Sequence, residues 1–106
     1  MQGDIIKINL NPKQGHEQKG HRPYICLSNK IISDIANIAV FAPVSNTRRN
    51  YPLYVKLHGT KTTGSVLLDQ LVTIDYNARH FEYIERVPVN VINDLLAKVI
   101  LVFQAN

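Results

Sequence analysis

About six short strand-like segments precede a single helix-like segment in this chain of 106 residues. Apolar and polar residues alternate within the segments, or apolar and aromatic residues dominate them, and turn signals separate them. The segments read DIIKINL, RPYICLS, NIAVFAPV, LYVKLHG, VLLDQLVTIDY and HFEYIERVP. The fifth can form one strand or two strands bent near Asp69-Gln70. The pattern predicts a mainly β, mostly antiparallel single domain over residues 1–106 that closes into a barrel or curls into a half-barrel.

The helix-like segment is VNVINDLLAKVILVF, which follows Pro88. A proline at the first helical position needs no N–H partner, so it suits a helix start. Apolar residues recur there at helical spacing, at Ile92, Leu95, Leu96, Val99 and Phe103. We therefore predict a C-terminal helix that packs on the core and contributes to a dimer contact.

Two other segments give less regular signals. Pro43 in NIAVFAPV predicts the end of that strand, at an edge or a bulge. The segment NKIISDIA fits either a short helix or an irregular crossing. Residues 11–21 contain a proline and two glycines among polar side chains and are predicted to form a loop.

Composition bounds the class of protein. Hydrophobic residues make up 45% of the chain, which predicts a folded globule. No apolar run approaches the roughly 18 residues of a membrane span, and Asp4 stands where a signal peptide would carry basic residues. Cys26 is the single cysteine and is read as a core thiol. We expect a cytoplasmic protein, and its net charge of +4 favours a polyanionic partner.

The usual catalytic and metal-binding motifs are missing from the sequence. It contains no GxxxxGK[ST], GxGxxG, HExxH or CxxC pattern and no nucleophile-elbow motif. His16 and His21 are five residues apart in a glycine-bearing segment, which is not a metal-ligand spacing, while His58 and His80 are scattered. We expect neither a metal nor another cofactor.

The stretch GHEQKGHRP, residues 15–23, crowds several polar groups into one connection. Such groups suit metal-free RNA cleavage, in which the 2′-hydroxyl of the RNA attacks the adjacent phosphate. A protein then has to accept and donate protons and to stabilise charge on the phosphate. Arginine is a natural phosphate clamp, hydroxyl groups can donate to the same oxygens, and histidines or carboxylates can move protons.

Several blocks, taken in order, resemble the MazF/PemK toxin family. GDIIKINLNPKQGHEQKGHRPYICLSN is similar to the family's opening strand, turn and G-[SH]-E-Q-x-G-x-R-P motif. FAPVSNT resembles the next strand and its Ser/Thr loop, and TTGSVLLDQLVTID resembles the G-x-V-x-x-D-Q-x-x-[ST]-[IV]-D block. ERVP then leads into the terminal helix, and GHEQ and ERVP favour the Kid/PemK branch. The resemblance covers nearly the whole chain.

The resemblance implies a small SH3-like β-barrel with helical additions that works as a homodimer in the cytoplasm. It implies a sequence-specific, metal-independent endoribonuclease that cleaves single-stranded mRNA to 2′,3′-cyclic phosphate and 5′-hydroxyl ends. It also implies a cognate antitoxin, expected to be an acidic or amphipathic disordered segment that folds over the basic groove.

The resemblance also assigns site residues. Arg22 matches the arginine of the GxRP motif, which binds the scissile phosphate, and Ser45 matches the catalytic hydroxyl. His16 and Asp69 match Kid-type proton-transfer residues. Leu67 stands where Kid-type proteins carry an arginine, so Arg22 and Ser45 receive more weight than a wholly Kid-style mechanism. The predicted RNA-binding residues are Glu17, Gln18, Asn46, Thr47, Arg48, Arg49 and Gln70.

Each assignment has a structural rival. Arg22 can pair with Glu17, Ser45 can cap a turn, and His16 can form hydrogen bonds within its loop. Asp69 can orient neighbouring N–H groups or pair with Arg22. Further along the chain, Asp75 and Arg79 can form a surface ion pair, which is the favoured reading, or belong to the RNA or antitoxin surface. Tyr51 can stack on a base or anchor its loop, and Thr47 can replace Ser45. His21, His58 and His80 have no assigned role.

Two other functions remain open on the sequence. A non-catalytic RNA-binding module with an SH3-like fold could retain Arg22 and Ser45 as phosphate contacts. A gyrase poison is also conceivable, because toxins with that activity share the fold, but the GxRP motif and the Ser/Thr loop are features of the nucleases.

Overall fold

The computed structural model describes residues 1–10 and 21–106. The strands in these residues are β1 (Asp4–Asn9), β2 (His21–Cys26), β3 (Ala39–Ser45), β4 (Tyr54–Lys56), β5 (Ser65–Leu67), β6 (Val72–Ile74) and β7 (Phe81–Arg86). The helices are α1 (Lys30–Ala36) and α2 (Val89–Val99), and 3₁₀ turns cover Tyr76–Ala78 and Ile100–Phe103.

All strand pairs of the described residues are antiparallel, and the main path runs β4-β5-β3-β2-β1-β7. β6 pairs with β3 outside this path. The mainly β fold predicted from the alternating pattern is therefore confirmed. In the described part of the chain the path stays open between β4 and β7, which fits the half-barrel better than a fully closed barrel.

β3 is the central strand, and it changes its partner along its length. One edge pairs with β2, while the other pairs with β6 over Ala39–Phe41 and with β5 at Val44 and Ser45. Pro43 lies between these two segments. The prediction that Pro43 ends the strand is wrong, because an irregular point where the neighbouring strand changes tolerates a residue without an N–H.

Two apolar clusters occupy opposite faces of the sheet. Successive residues of a strand point to opposite faces, so Ile5 joins a cluster with Leu95 of α2, whereas Ile6 joins a second cluster with Phe41 and Cys26. The prediction of a core thiol is confirmed because Cys26 is fully buried. Burial raises the pKa of the Cys26 thiol, which disfavours the reactive thiolate.

The C-terminal helix forms as predicted, with two differences at its ends. Pro88 is the N-cap rather than the first helical residue, and its carbonyl accepts from Ile92 at 3.2 Å. Leu95 is 0% exposed. Beyond Val99 the chain tightens into the 3₁₀ turn, where Phe103 is 72% exposed and lines an apolar groove with Leu96 and Val99. None of the helices in the described ranges has the length and apolarity that crossing a bilayer requires.

The segment that fitted two conformations forms α1. The Asn29 side chain accepts from the backbone N–H of Ile31 at 3.0 Å, which caps the start of the helix. Asn37 ends it in the left-handed region at φ 57°. These local hydrogen bonds fix a short helix whose Ile35 is 82% exposed.

Glu85 of β7 holds the hairpin between β4 and β5. Its carboxylate accepts from the backbone N–H groups of Lys61 at 3.1 Å and Thr62 at 2.6 Å, and from Thr62 Oγ1 at 2.7 Å. Partial burial alone would raise the pKa of Glu85. The hydrogen bonds from Thr62 and Lys61 outweigh that effect, so the pKa lies below its ordinary value.

We expect Glu85 to stabilise the fold above its ordinary pKa and to lose this contribution as the pH falls through its lowered pKa. Glu85→Gln should cost about 1 kcal/mol at neutral pH and less near pH 3. Urea unfolding across this range measures the difference from wild type. Glu82→Gln, on the same strand but at an exposed carboxylate, is the control. An equal loss at both pH values would contradict the role assigned to the charge.

Candidate functional site

Arg22 and Ser45 lie at adjacent ends of neighbouring strands. Arg22 is the second residue of β2 and its side chain is exposed, whereas Ser45 is the last residue of β3. The paired segment of these strands ends at Tyr24 and Pro43. Arg22 and Ser45 each lie two residues beyond this last pair on their strands, so the alternation of side chains puts both on the face of the sheet that carries Tyr24. The two residues that carried most weight in the sequence analysis therefore lie at neighbouring strand ends.

Tyr24, two residues after Arg22, is close enough to be influenced by its charge and also packs on the sheet. Burial raises the pKa of the Tyr24 hydroxyl, and the positive charge of Arg22 partly offsets this effect. Tyr24 also packs at the margin of the second apolar cluster, opposite Ile6 of β1. The packing of Tyr24 therefore fixes the strand backbone from which the Arg22 side chain extends.

Ser45 is held by close backbone contacts. It pairs with Ser65 at the start of β5, and its carbonyl accepts from Thr47 N–H at 3.1 Å. Gly64 approaches it so closely that a Cβ added there would lie 2.7 Å from the Ser45 carbonyl oxygen. Gly64 also has φ +116°, a conformation that side chains rarely adopt. The position of Ser45 therefore depends on a glycine at residue 64.

Gly64→Ala is expected to destabilise the fold by about 2–4 kcal/mol, since it adds a steric clash to an unfavourable φ. It should also lower any activity that depends on Ser45, by up to about 100-fold, because the new methyl group displaces that residue. Thermal unfolding and activity assays measure the two effects.

Gly59→Ala is the matched control. Gly59 has φ +72° but no atom within 4 Å of an added Cβ, so this variant carries only the conformational cost, about 1–2 kcal/mol. Equal effects of the two substitutions on stability and activity would show that the contact with Ser45 is unimportant.

The loop after Ser45 presents several of the predicted RNA-binding residues. Asn46, Arg48 and Arg49 are exposed and Thr47 is half-buried. Thr47 Oγ1 accepts from Arg49 N–H at 3.2 Å, which orders the loop. The loop therefore exposes two guanidinium groups and one amide group within four residues of Ser45.

Tyr51 anchors its loop, which is one of the two roles considered for it, and its stacking on a base stays a prediction. Its ring lies edge-on to Tyr54 with centroids 4.8 Å apart, and the Arg49 guanidinium lies 5.9 Å from the Tyr51 centroid. The ring is therefore a packed anchor of the loop that also holds Arg49 through a cation–π contact.

The turn between β5 and β6 carries Asp69 and Gln70, both exposed. Gln70 Nε2 donates to the Tyr54 hydroxyl at 3.4 Å, which joins this turn to the tyrosine pair and the Arg49 loop. Leu67 is buried, so the residue at the position of the Kid-type arginine faces the core. Asp69 makes no hydrogen bond or ion pair with another described residue, and its predicted role stays a prediction.

Three of the predicted site residues lie outside the part of the chain that the structure describes. His16, Glu17 and Gln18 belong to residues 11–20, which lie outside the described ranges.

The expected ion pair between Asp75 and Arg79 is wrong. Asp75 instead accepts from Ala78 N–H at 3.3 Å, and Arg79 Nη1 donates to the Asn9 carbonyl at 3.0 Å.

Sequence reasoning missed one group of polar residues. Lys7, His21, His80 and Glu82 line a cavity of about 390 Å³. No linear motif identifies them, because strand pairing alone brings them together. Within residues 1–10 and 21–106, no three His, Cys, Asp or Glu side chains are arranged to hold a metal ion.

Two curated proteins with similar sequences are both named endoribonucleases. Endoribonuclease PemK of Escherichia coli is 36% identical over 101 residues, which cover 91% of this chain and 76% of the relative. Endoribonuclease toxin MazF of Escherichia coli (strain K12) is 34% identical over 77 residues, or 73% of this chain and 69% of the relative.

Solved structures share the fold. MazF (Form-I) from Deinococcus radiodurans matches with a TM-score of 0.77 and 27% identity, over 95% of this chain and 93% of that one. An endoribonuclease from a mycobacterial species, in complex with its cognate antitoxin, matches with a TM-score of 0.82 and 19% identity, over 97% and 93% of the two chains. These likenesses confirm the predicted mainly β fold with a C-terminal helix.

The family assignment agrees with these relatives and with the motifs in the sequence. Residues 1–103 match the family described as the PemK-like, MazF-like toxin of type II toxin-antitoxin systems. The chain therefore belongs to the PemK/MazF toxin family.

Proposed function

We propose that this chain is a sequence-specific, metal-independent endoribonuclease that cleaves single-stranded mRNA. The domain would use the RNA's own 2′-hydroxyl as nucleophile and leave 2′,3′-cyclic phosphate and 5′-hydroxyl ends. Relatives named endoribonuclease PemK and endoribonuclease toxin MazF support this activity. The observation that carries the proposal is the placement of Arg22 and Ser45 at adjacent ends of β2 and β3.

Arg22 and Ser45 have complementary roles in this chemistry. The guanidinium of Arg22 presents a fork of donors with a fixed charge to the non-bridging oxygens of the scissile phosphate. The hydroxyl of Ser45 donates to the same phosphate. Negative charge grows on those oxygens in the transition state, so donors already in position lower the barrier more than they strengthen ground-state binding.

Proton transfer requires two further groups. His16 and Asp69 are the proposed pair, one accepting the 2′-hydroxyl proton and the other protonating the leaving 5′-oxygen. Asp69 is exposed at the β5–β6 turn, which Gln70 joins to the loop after Ser45 through the tyrosine pair. This connection supports a place for Asp69 on the same surface.

The substrate would be held by a basic surface. The chain carries a net charge of +4, and the loop after Ser45 exposes Arg48 and Arg49. Proteins read RNA sequence mainly on single strands, whose unstacked bases expose their edges. We propose that Asn46, Thr47, Arg48, Arg49 and Gln70, with Glu17 and Gln18, contact the RNA.

A cognate antitoxin and a second copy of the chain are the proposed partners. Solved relatives include MazE-MazF from Deinococcus radiodurans and a mycobacterial endoribonuclease with its cognate antitoxin. We propose that an acidic or amphipathic segment of the antitoxin covers the basic groove, and that the toxin works as a cytoplasmic homodimer. Nucleases of this kind need such control because their substrate is present throughout the cytoplasm.

Incubation of the purified protein with a long single-stranded RNA in EDTA tests the activity. Discrete cuts with cyclic phosphate ends are expected, and mapping them gives the recognition motif. If the folded protein leaves the RNA intact, the proposal is overturned. RNA binding without cleavage would identify a binding module, and stabilised gyrase–DNA complexes would identify a gyrase poison.

A further inference from the structure

A polar cavity lies beside Arg22 but on the other face of β2. Lys7, His21, His80 and Glu82 line it, and all four side chains are exposed. Its volume of about 390 Å³ falls within the range of small-molecule sites, roughly 300–1,000 Å³. Neither the sequence motifs nor the proposed mechanism uses these residues.

Strand register explains why the four side chains meet. Lys7 of β1 lies directly opposite Glu82 of β7, and Asn9 of β1 lies opposite His21 of β2. The β1–β7 register, continued by one residue, places His80 on the other side of Asn9. The cavity thus has a histidine on either side of β1, and the Lys7–Glu82 pair lies next to them, two residues earlier along β1.

The charges narrow the class of ligand. Lys7 is a cation, and Arg79, which donates to the Asn9 carbonyl at 3.0 Å, adds a second positive charge nearby. Glu82 would repel an inorganic anion, and Lys7 would repel a metal ion. A nucleotide satisfies both groups, because it carries a phosphate for the cations and a base whose amino group can donate to a carboxylate.

We propose that this cavity is a nucleotide subsite of the RNA-binding surface, an inference that rests on the proposed endoribonuclease function. Lys7 and the two histidines contact a backbone phosphate, and Glu82 accepts from the exocyclic amino group of a base. Uracil has no such group, so the subsite favours adenine, guanine or cytosine at one position of the recognition motif.

The position of His21 connects this subsite to the scissile phosphate. His21 and Arg22 are consecutive, so their Cα atoms are about 3.8 Å apart, and their side chains leave opposite faces of β2. In this proposal one RNA strand contacts both sites, with the scissile phosphate at Arg22 and a different nucleotide in the cavity. Lys7 and Glu82 would then determine specificity without touching the reacting atoms.

Two variants separate the roles of phosphate and base. Cuts are mapped on a randomised RNA pool with wild type, Lys7→Ala and Glu82→Gln. Binding is measured by fluorescence anisotropy, at several salt concentrations, with an oligonucleotide that carries a 2′-deoxy nucleotide at the mapped cut site. Lys30→Ala is the control for charge, because Lys30 is an exposed cation on α1, beyond the other end of β2.

Lys7→Ala is expected to weaken binding by about tenfold for all sequences and to reduce the salt slope by about one. Glu82→Gln should leave the salt slope nearly unchanged but admit uracil at a single motif position. Wild-type binding, salt slope and base preference in both variants, with a wild-type enzyme that cleaves, would overturn the subsite. A wild-type protein that does not cleave RNA would overturn the proposed function itself, and the subsite with it.

Discussion

Replacing Arg22 with alanine is expected to lower the rate of RNA cleavage by about 100- to 1,000-fold, which is the typical loss when one donor to a developing charge is removed. The fold should survive, because the Arg22 side chain is exposed and its strand is held by backbone pairing to β1 and β3. Single-turnover cleavage of a mapped RNA site measures the loss, and circular dichroism verifies the fold.

Two controls make this experiment decisive. Arg22→Lys retains the charge but loses the forked donor geometry, so it should recover only part of the activity. Lys30→Ala removes a comparable exposed charge from α1 and should cleave at nearly the wild-type rate. If Arg22→Ala kept near-wild-type turnover, Arg22 would be a structural or surface residue and the site would have to be placed elsewhere.

Leu95→Asp is expected to destabilise the fold strongly. The Leu95 side chain is fully buried between α2 and the first apolar cluster. An aspartate there loses the apolar burial and puts an unpaired carboxylate in the core, for a combined cost of at least about 4–5 kcal/mol. Domains of this size are stable by only about 5–15 kcal/mol, so this loss removes about a third or more of that stability.

Asn93→Asp provides the matched charge control, because Asn93 is an exposed residue on the same helix. Its melting temperature should stay within a few degrees of wild type, whereas that of Leu95→Asp should fall by about 15–40 °C. A small and equal shift for both substitutions would mean that α2 is not packed on the sheet as described.

Much of the fold follows from local patterns in the sequence. Alternation in DIIKINL and helical spacing around Leu95 predict β1 and α2, because each pattern reflects one buried face. Pro43 misled the prediction because its tolerance depends on a change of neighbouring strand, which is a tertiary feature. The tightening of the helix after Val99 was not predicted, because the apolar spacing does not show such a change of period.

The candidate site was predictable only in part. The resemblance in the GxRP motif and in the segment after Val44 predicts Arg22 and Ser45, and the pairing of β2 with β3 places them at neighbouring strand ends. The role of Gly64 was not evident, since it depends on the close approach of its backbone to Ser45, where an added Cβ would lie 2.7 Å from the carbonyl oxygen. His21 and His80 had no assigned role for a similar reason: β1 brings them together only in the folded sheet.

The pairing of β1 with β7 has a consequence for biosynthesis. β1 (residues 4–9) pairs along one edge with β7 (residues 81–86). The Val87 N–H also donates to the Gly3 carbonyl at 3.0 Å. Such distant contacts close late and slow the folding of a chain. While the nascent chain is on the ribosome, β1 keeps an open edge until β7 has emerged. Translation that stops before residue 81 is therefore expected to release an incomplete sheet, which proteases can remove, rather than an active toxin.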